Sequence, residues 1–249
     1  MEYLNSKTFS SSPLHPVVIV AGYLWLVQKA LPAFMANRKP YNLNTAIRIY
    51  NLLQVVMNGY ICYLYVKLMN EKTLQFWTIS CSHVSKANNF EPDIKRRVAE
   101  LGYLYYINKI IDLIDTILFQ LRKKEQQVTF LHVYHHCIMV PNTWLSTFYF
   151  TEETSTFLAT LNSFLHIIMY TYYFLSNLGP SLKKYLWWKR YITLFQIMQF
   201  LILLCLFGKL YGEECGCSNY YLALWTLTII SFLVLFCKFY IKSYKKKIN

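Results

Sequence analysis

Three of the six histidines fall inside the run His132-Val133-Tyr134-His135-His136. On a helix these positions are i, i+3 and i+4, so the three imidazoles share one face. Their neighbours Phe130, Leu131, Val133, Ile138, Met139 and Val140 are apolar. Two chemistries suit such a face. One is metal ligation: zinc takes four ligands, or three and a water, and Asp112 and Asp115 could complete such a set. Di-iron lipid oxidases draw on several histidine boxes, and this chain has one box plus His166. The other is metal-free, with a neutral imidazole as nucleophile or general base and a carboxylate fixing its tautomer.

The stretch Leu101–Leu121 carries Lys109, Asp112 and Asp115. In a membrane-spanning helix these charges cost ~8–10 kcal/mol, more than the ~3–7 kcal/mol its Leu, Ile and Phe residues supply. Lys109, Asp112 and Thr116 lie at i, i+3 and i+7, with Asp115 three past Asp112, so they form one stripe that must face protein. Lys109 and Asp112 can neutralise each other, and the carboxylate left over suits an imidazole. Thr156–Leu175 repeats the pattern, with Asn162, His166, Met169, Tyr170 and Tyr173 on one face. A lone His on such a face is commonly a hydrogen-bonded core residue, but His166 is the one histidine besides the box deep in an apolar run. Gln196 and Gln199 are polar outliers in a further run, and Gln199 could serve as interhelical glue. His15 and His83 fall in a tail and a loop and look incidental.

These stripes must be held by a largely apolar frame. The chain is 55% hydrophobic and only 15% charged, yet its net charge is +13; a soluble domain has ~25% charged residues. The basic residues sit between apolar runs and form no single stripe, which argues against nucleic acid. Runs of ~20 apolar residues occur at 16–35, 47–69, 101–121, 128–150, 156–175, 191–210 and 220–240. The fold class expected is an all-α polytopic membrane protein of about seven transmembrane helices, one domain over 1–249, with a basic cytosolic tail over 241–249.

With the N-terminus lumenal, Arg38, Lys39, Arg48, Arg122, Lys123, Lys124, Lys183, Lys184, Lys189, Arg190 and the tail lysines are cytosolic, while Glu152, Glu153, Glu213 and Glu214 are lumenal, as the positive-inside rule requires. The long lumenal connection 70–100, with Lys72, Lys86, Lys95, Arg96 and Arg97, departs from the rule. The tail reads Lys246-Lys247-Ile248-Asn249, a K-K-x-x arrangement that resembles a dilysine endoplasmic reticulum retrieval signal and equally suits anionic lipid. The N-terminal stretch lacks the basic n-region of a signal peptide. The seven cysteines contain no C-x-x-C pair. Cys81 would share the lumen with Cys215 and Cys217, where a disulfide from Cys81 to either could form or all could stay reduced.

In order along the chain stand Pro40-Tyr41-x-Leu43, Tyr50-Asn51, Lys109-x-x-Asp112-x-x-Asp115-Thr116, Gln127-x-x-x-Leu131-His132-x-x-His135-His136, Asn162-x-x-x-His166-x-x-Met169-Tyr170-x-Tyr172-Tyr173 and Thr193-Leu194-x-Gln196. This series resembles the signature of the ELO family, the very-long-chain fatty acid elongases, over nearly the whole chain. Asp112 stands where the family often has Glu. The resemblance implies seven helices in the endoplasmic reticulum membrane, six of them a barrel around a narrow acyl tunnel and the first packed outside. It implies condensation of a long-chain acyl-CoA with malonyl-CoA to a 3-ketoacyl-CoA, carbon dioxide and CoA, with no metal and no cofactor beyond these substrates. A ketoreductase, a dehydratase and an enoyl reductase would complete the cycle; a homo-oligomer is left open.

The resemblance favours His135 as nucleophile through an acyl-imidazole. His166 would assist decarboxylation or stabilise the enolate. His132 and His136 would orient and polarise, with Asp112 and Asp115 behind them. Lys109, Gln127, Asn162, Tyr170, Tyr173 and Gln196 are the supporting or substrate-binding positions. Gln127 resembles the branch that takes polyunsaturated chains. Cys137, the cysteine beside the box, points about 100° away from His136. The competing readings are a histidine-ligated metal-dependent lipid oxidase, a transporter with a buried His/Asp proton relay and a seven-helix receptor.

Overall fold

In the computed structural model, residues 11–71, 92–150, 154–212 and 217–244 are described. Among them the regular structure is helical throughout: α1 (Leu14–Met35), α2 (Asn44–Glu71), α3 (Pro92–Ile111), α4 (Ile114–Leu121), α5 (Phe130–Leu145), α6 (Thr154–Ser176), α7 (Lys189–Gly212) and α8 (Asn219–Tyr244). Of these, α1, α2, α7 and α8 are long and apolar enough to cross a membrane. Their exposed residues, such as Val17, Trp25, Leu53, Val56, Met198, Leu201 and Leu227, make apolar outer faces suited to lipid. The chain is an all-α multi-pass membrane protein. The charges of 72–91, His83, Glu152, Glu153, Glu213, Glu214, Lys245, Lys246 and Lys247 lie outside the described residues. So does the pairing of Cys81 with Cys215 or Cys217, because Cys81 and Cys215 do.

Neighbour contacts run from α2 to α6, α6 to α7, α7 to α8, α8 to α5, α5 to α3 and α3 back to α2; α1 stands outside this circuit, against α5 and α4. Aromatic-rich clusters fill the seams. Phe200, Phe207, Trp225 and Phe232 join α7 and α8 to α5 and α6. Tyr23, Tyr106, Val140 and Trp144 join α1, α3 and α5. Tyr65, Tyr105 and Ala159 join α2, α3 and α6. Gly102 lets α3 approach the end of α5 closely: a Cβ there would lie 2.9 Å from Thr147 Oγ1.

Three expectations need correction. The run 101–121 is not one helix but breaks at Asp112–Leu113. There the backbone tightens to i+3 hydrogen bonds, Leu113 N to Ile110 O at 3.1 Å and Asp115 N to Asp112 O at 3.2 Å, which brings residues three apart nearly into register. His15 is not in a tail: it lies in the first turn of α1 and its Nδ1 is 2.8 Å from the Tyr106 hydroxyl. Helix α8 runs on to Tyr244, so Lys242, assigned to the tail, is helical.

The connections meet at one end of the molecule. Tyr41 N donates to Leu121 O (3.0 Å), Arg122 to Asn44 Oδ1 (3.3 Å), Arg48 to Asn177 O (2.9 Å), and Asn177 Nδ2 to Asn44 O (2.9 Å). The α1–α2 connection, the end of α4 and the end of α6 therefore form one basic rim.

Candidate active site

Helix α5 opens with a capping interaction: the Thr129 hydroxyl accepts from the His132 backbone N–H at 3.2 Å. This fixes where the first turn starts and so which way the histidines face. His132 Nε2 lies 2.9 Å from Thr116 Oγ1 on α4. The His132 and His136 rings meet edge to face at 4.5 Å, and His135 and His136 at 5.3 Å. His136 is buried, at 5% exposure. His135 is only partly buried and packs on Phe232 of α8 at 5.1 Å. Across the interior, His166 of α6 faces His135 nearly parallel at 6.4 Å. His166 Nδ1 is 2.9 Å from the Asn162 carbonyl; a carbonyl only accepts, so Nδ1 carries the proton.

A polar layer backs the imidazoles. Lys109 and Asp112, each 1% exposed or less, pair at 2.9 Å, and Lys109 Nζ lies over the Tyr105 ring. Asp112 also accepts from Gln54 Nε2 at 2.8 Å and from the Tyr170 hydroxyl at 3.1 Å. The same hydroxyl is 2.8 Å from Asp115 Oδ2, a double contact that the tight turn at Asp112–Leu113 permits. The Tyr105 hydroxyl donates to Asn162 Oδ1 at 2.7 Å, and Asn58 and Asn108 extend the layer from Gln54.

The structure thus brings together Lys109, Asp112, Asp115, His132, His135, His136, Asn162, His166 and Tyr170. Tyr173 stacks edge-on against Tyr170 at 6.0 Å. Gln196 touches Met169 Sδ at 3.9 Å, a weak contact at the edge of the layer. Gln127 is exposed in a 3₁₀ turn before α5, and its side chain is not part of the layer. The leftover carboxylate was expected to seek an imidazole; instead Asp115 meets Tyr170, and the carboxylate nearest an imidazole is Asp112, 3.8 Å from His166 Nε2. Asp112 and Asp115 were expected behind both His132 and His136; His132 Nε2 instead meets the Thr116 hydroxyl, and His136 is held by ring contacts. Cys137 packs into the α1 seam, on another face of α5. Among the described residues, no three His, Cys, Asp or Glu side chains are grouped to hold one metal ion.

Sequence reasoning missed Gln54, Asn58 and Tyr105, and met Tyr50 only as part of a motif. Tyr50, Gln54 and Asn58 recur at i, i+4 and i+8 in an apolar run, so the stripe argument used for Lys109–Thr116 would have found them. Tyr23 gives no such signal: one tyrosine in an apolar helix is ordinary.

The model of the ELO: GNS1/SUR4 family matches residues 8–249. Among similar curated proteins, very long chain fatty acid elongase 7 of Rattus norvegicus is 36% identical, over 95% of this chain and 83% of its own length. Very long chain fatty acid elongase 1 of Mus musculus is 34% identical, over 98% and 86% respectively. Very long chain fatty acid elongase F of Drosophila simulans is 36% identical, over 95% and 89%.

Proposed function

Because this chain belongs to the GNS1/SUR4 (ELO) family of fatty acid elongation, we propose that its polar layer condenses a long-chain acyl-CoA with malonyl-CoA. The observation that carries this reading is the pairing of His135 with His166 from a separate helix, in front of the buried Lys109–Asp112 pair. His132 is engaged by Thr116 and His136 is buried. His132 and His135 are both partly buried, and of these two His135 is the one that, among the described residues, is held by ring contacts alone.

In this scheme a His135 nitrogen attacks the acyl thioester carbon, and CoA leaves as its thiol after taking up a proton. The acyl-imidazole is the covalent intermediate. Malonyl-CoA then loses carbon dioxide, and its electron pair passes to an enolate whose carbon attacks the acyl carbon. The imidazole is expelled, takes up a proton in place of the one that left with CoA, and a 3-ketoacyl-CoA two carbons longer is released. His166 supports the enolate: a proton reaching its Nε2 would turn the 3.8 Å approach to Asp112 into an ion pair. Lys109 holds Asp112 in place through their 2.9 Å contact. No metal and no cofactor beyond the two CoA thioesters enters.

The helix circuit α2-α6-α7-α8-α5-α3 is the barrel of this scheme, and its interior is the acyl tunnel. The basic rim of Arg38, Arg48 and Arg122 suits the phosphates of CoA. On the positive-inside rule this rim is cytosolic, which puts the N-terminal side in the lumen of the endoplasmic reticulum. The product is a β-keto thioester, which a ketoreductase, a dehydratase and an enoyl reductase must process to extend the chain.

The test is intact-mass analysis of purified protein given a long-chain acyl-CoA without malonyl-CoA. An acyl adduct on His135 with release of free CoA, discharged to 3-ketoacyl-CoA once malonyl-CoA is added, is the expected result. Product without an adduct would remove the covalent step and keep the condensation. Neither adduct nor product, in folded protein over several acyl lengths, would overturn both.

A further inference from the structure

Helix α1 stands outside the circuit, yet one of its side chains reaches the layer. Tyr23 is 4% exposed, and its hydroxyl lies 2.7 Å from Thr116 Oγ1. The same Thr116 oxygen lies 2.9 Å from His132 Nε2. The Tyr23 ring also meets the buried His136 ring edge-on at 6.3 Å. One side chain of the outer helix therefore touches the His136 ring and, through one hydroxyl, reaches His132.

The direction of this relay follows from counting protons. Each hydroxyl has one. A phenol is the stronger donor and the weaker acceptor of the two, and Thr116 is its hydrogen-bond partner among the described residues. Tyr23 therefore donates to Thr116. That contact occupies a lone pair on Thr116 Oγ1 and leaves its single proton for His132 Nε2. His132 is then an acceptor at Nε2 and carries its own proton on Nδ1. The opposite direction would leave the buried Tyr23 proton without a partner, at a cost typical of an unsatisfied buried donor. We propose that Tyr23 is a positioning residue for the histidine box: through Thr116 it fixes the tautomer and ring plane of His132, and by ring contact it holds His136 against His135. The proposal rests on the acyl-transfer reading above for what the box does, but not for how the rings are held.

The consequence is that His132 Nε2 is engaged and out of competition for the acyl group, while the rings at 4.5 and 5.3 Å form the wall that aims His135. Hydrogen-bond partners behind metal-ligating histidines are worth ~10–100-fold in metal affinity or activity, and the expectation carried over to this metal-free box is the lower end of that range. Tyr23 touches no substrate in this reading, so its loss should appear in kcat and leave KM unchanged.

The experiment compares Tyr23→Phe, Thr116→Val, Thr116→Ser, the double variant Tyr23→Phe/Thr116→Val, and Val20→Ala. Val20 packs in the same α1 seam without a hydroxyl, so it reports on α1 docking alone. Expected are a kcat ~10-fold lower for Tyr23→Phe with KM unchanged, and a double variant no worse than Thr116→Val, since one relay is cut only once. Recovery to within about threefold of wild type in Thr116→Ser, which keeps the hydroxyl, and near wild-type kinetics in Val20→Ala are also expected. A Tyr23→Phe kcat within about twofold of wild type, an additive double variant, or an effect confined to KM would overturn the proposal. A second readout needs no turnover: ¹⁵N-histidine spectra of the detergent-solubilised chain report the His132 tautomer. If wild type makes no 3-ketoacyl product, the acyl-transfer reading fails, and the spectra decide the relay. A tautomer shift in Tyr23→Phe supports it, and an unchanged His132 signal overturns it.

Discussion

Replacing Asp112 by Asn removes the one carboxylate within ion-pair distance of the Lys109 ammonium among the described residues. Both side chains are 1% exposed, so water cannot take the carboxylate's place. Breaking a buried pair by removing one partner costs ~3–5 kcal/mol, because the other charge stays buried without compensation. The Asn amide can still accept from Lys109 or from Gln54, so the lower end, ~3 kcal/mol, is the fitting figure. Asp115→Asn should behave differently. Asp115 faces no cation at ion-pair distance among the described residues, and it shares the single Tyr170 proton with Asp112. An amide there removes a negative charge from a layer that holds two carboxylates and one lysine, and its NH₂ can donate to Tyr170. The loss should stay within ~1 kcal/mol. Lys109→Met/Asp112→Leu, which removes both charges, should recover most of the Asp112→Asn loss in stability, while activity stays lost because the polar layer is gone. Thermal unfolding of the purified chain in detergent, read by intrinsic fluorescence alongside size-exclusion elution, orders the variants. Equal destabilisation by Asp112→Asn and Asp115→Asn, or an Asp112→Asn protein as stable as wild type, would refute the assignment of Lys109 to Asp112.

His135→Ala should elute as folded protein and form neither acyl adduct nor 3-ketoacyl product, and a folded variant that still condenses removes His135 from the chemistry. His166→Ala should still take up the acyl group but discharge it slowly onto malonyl-CoA, so the adduct accumulates in a time course by intact mass. Gly102→Ala places a Cβ 2.9 Å from Thr147 Oγ1, and should cost ~1–3 kcal/mol in thermal unfolding as α3 is pushed from α5.

The parts of the site that the sequence made legible are those where chemistry conflicts with lipid. Lys109, Asp112 and Asp115 in an apolar run had to turn inward, and three histidines on one face of α5 had to meet something polar. What they meet was not legible. Whether His132 would face a carboxylate or a hydroxyl depends on where the α3–α4 turn falls, and that turn moves Thr116 relative to Asp112 by a geometry that helical periodicity does not contain. Gln54 and Asn58 were legible in principle, by the same polar spacing, in a run whose mean hydropathy hid them. Tyr23 was not, since its role follows from which helix lies next to α4, and sequence order places α1 nearer α2.

The backbone marks the inward faces independently of the charges. In hydrocarbon, a carbonyl freed from its helix has no water to bond and must find a protein donor. Helix α1 widens into a π turn at Leu26–Ala30, and Gln120 Nε2 donates to the Val27 carbonyl inside it. The α3–α4 run tightens at Asp112–Leu113, where the two carboxylates share Tyr170. Helix α5 carries Pro141, which cannot donate to the carbonyl four residues before it, and it ends in a π turn at Ser146–Phe150. There the Ser146 hydroxyl accepts from Trp225 Nε1 at 2.9 Å and donates to Asn142 O, while Thr147 donates to Thr143 O. Both π turns are thus answered by side chains within the protein, Gln120 of α4 at the first and Ser146, Thr147 and Trp225 at the second. The helices apolar enough to cross a membrane, α1, α2, α7 and α8, carry the apolar outer surface, whereas the box histidines, His166, Lys109, Asp112 and Asp115 stand on α3, α4, α5 and α6 and the turn between α3 and α4. A site that needs charge in a membrane is built from the segments least able to stand in lipid alone.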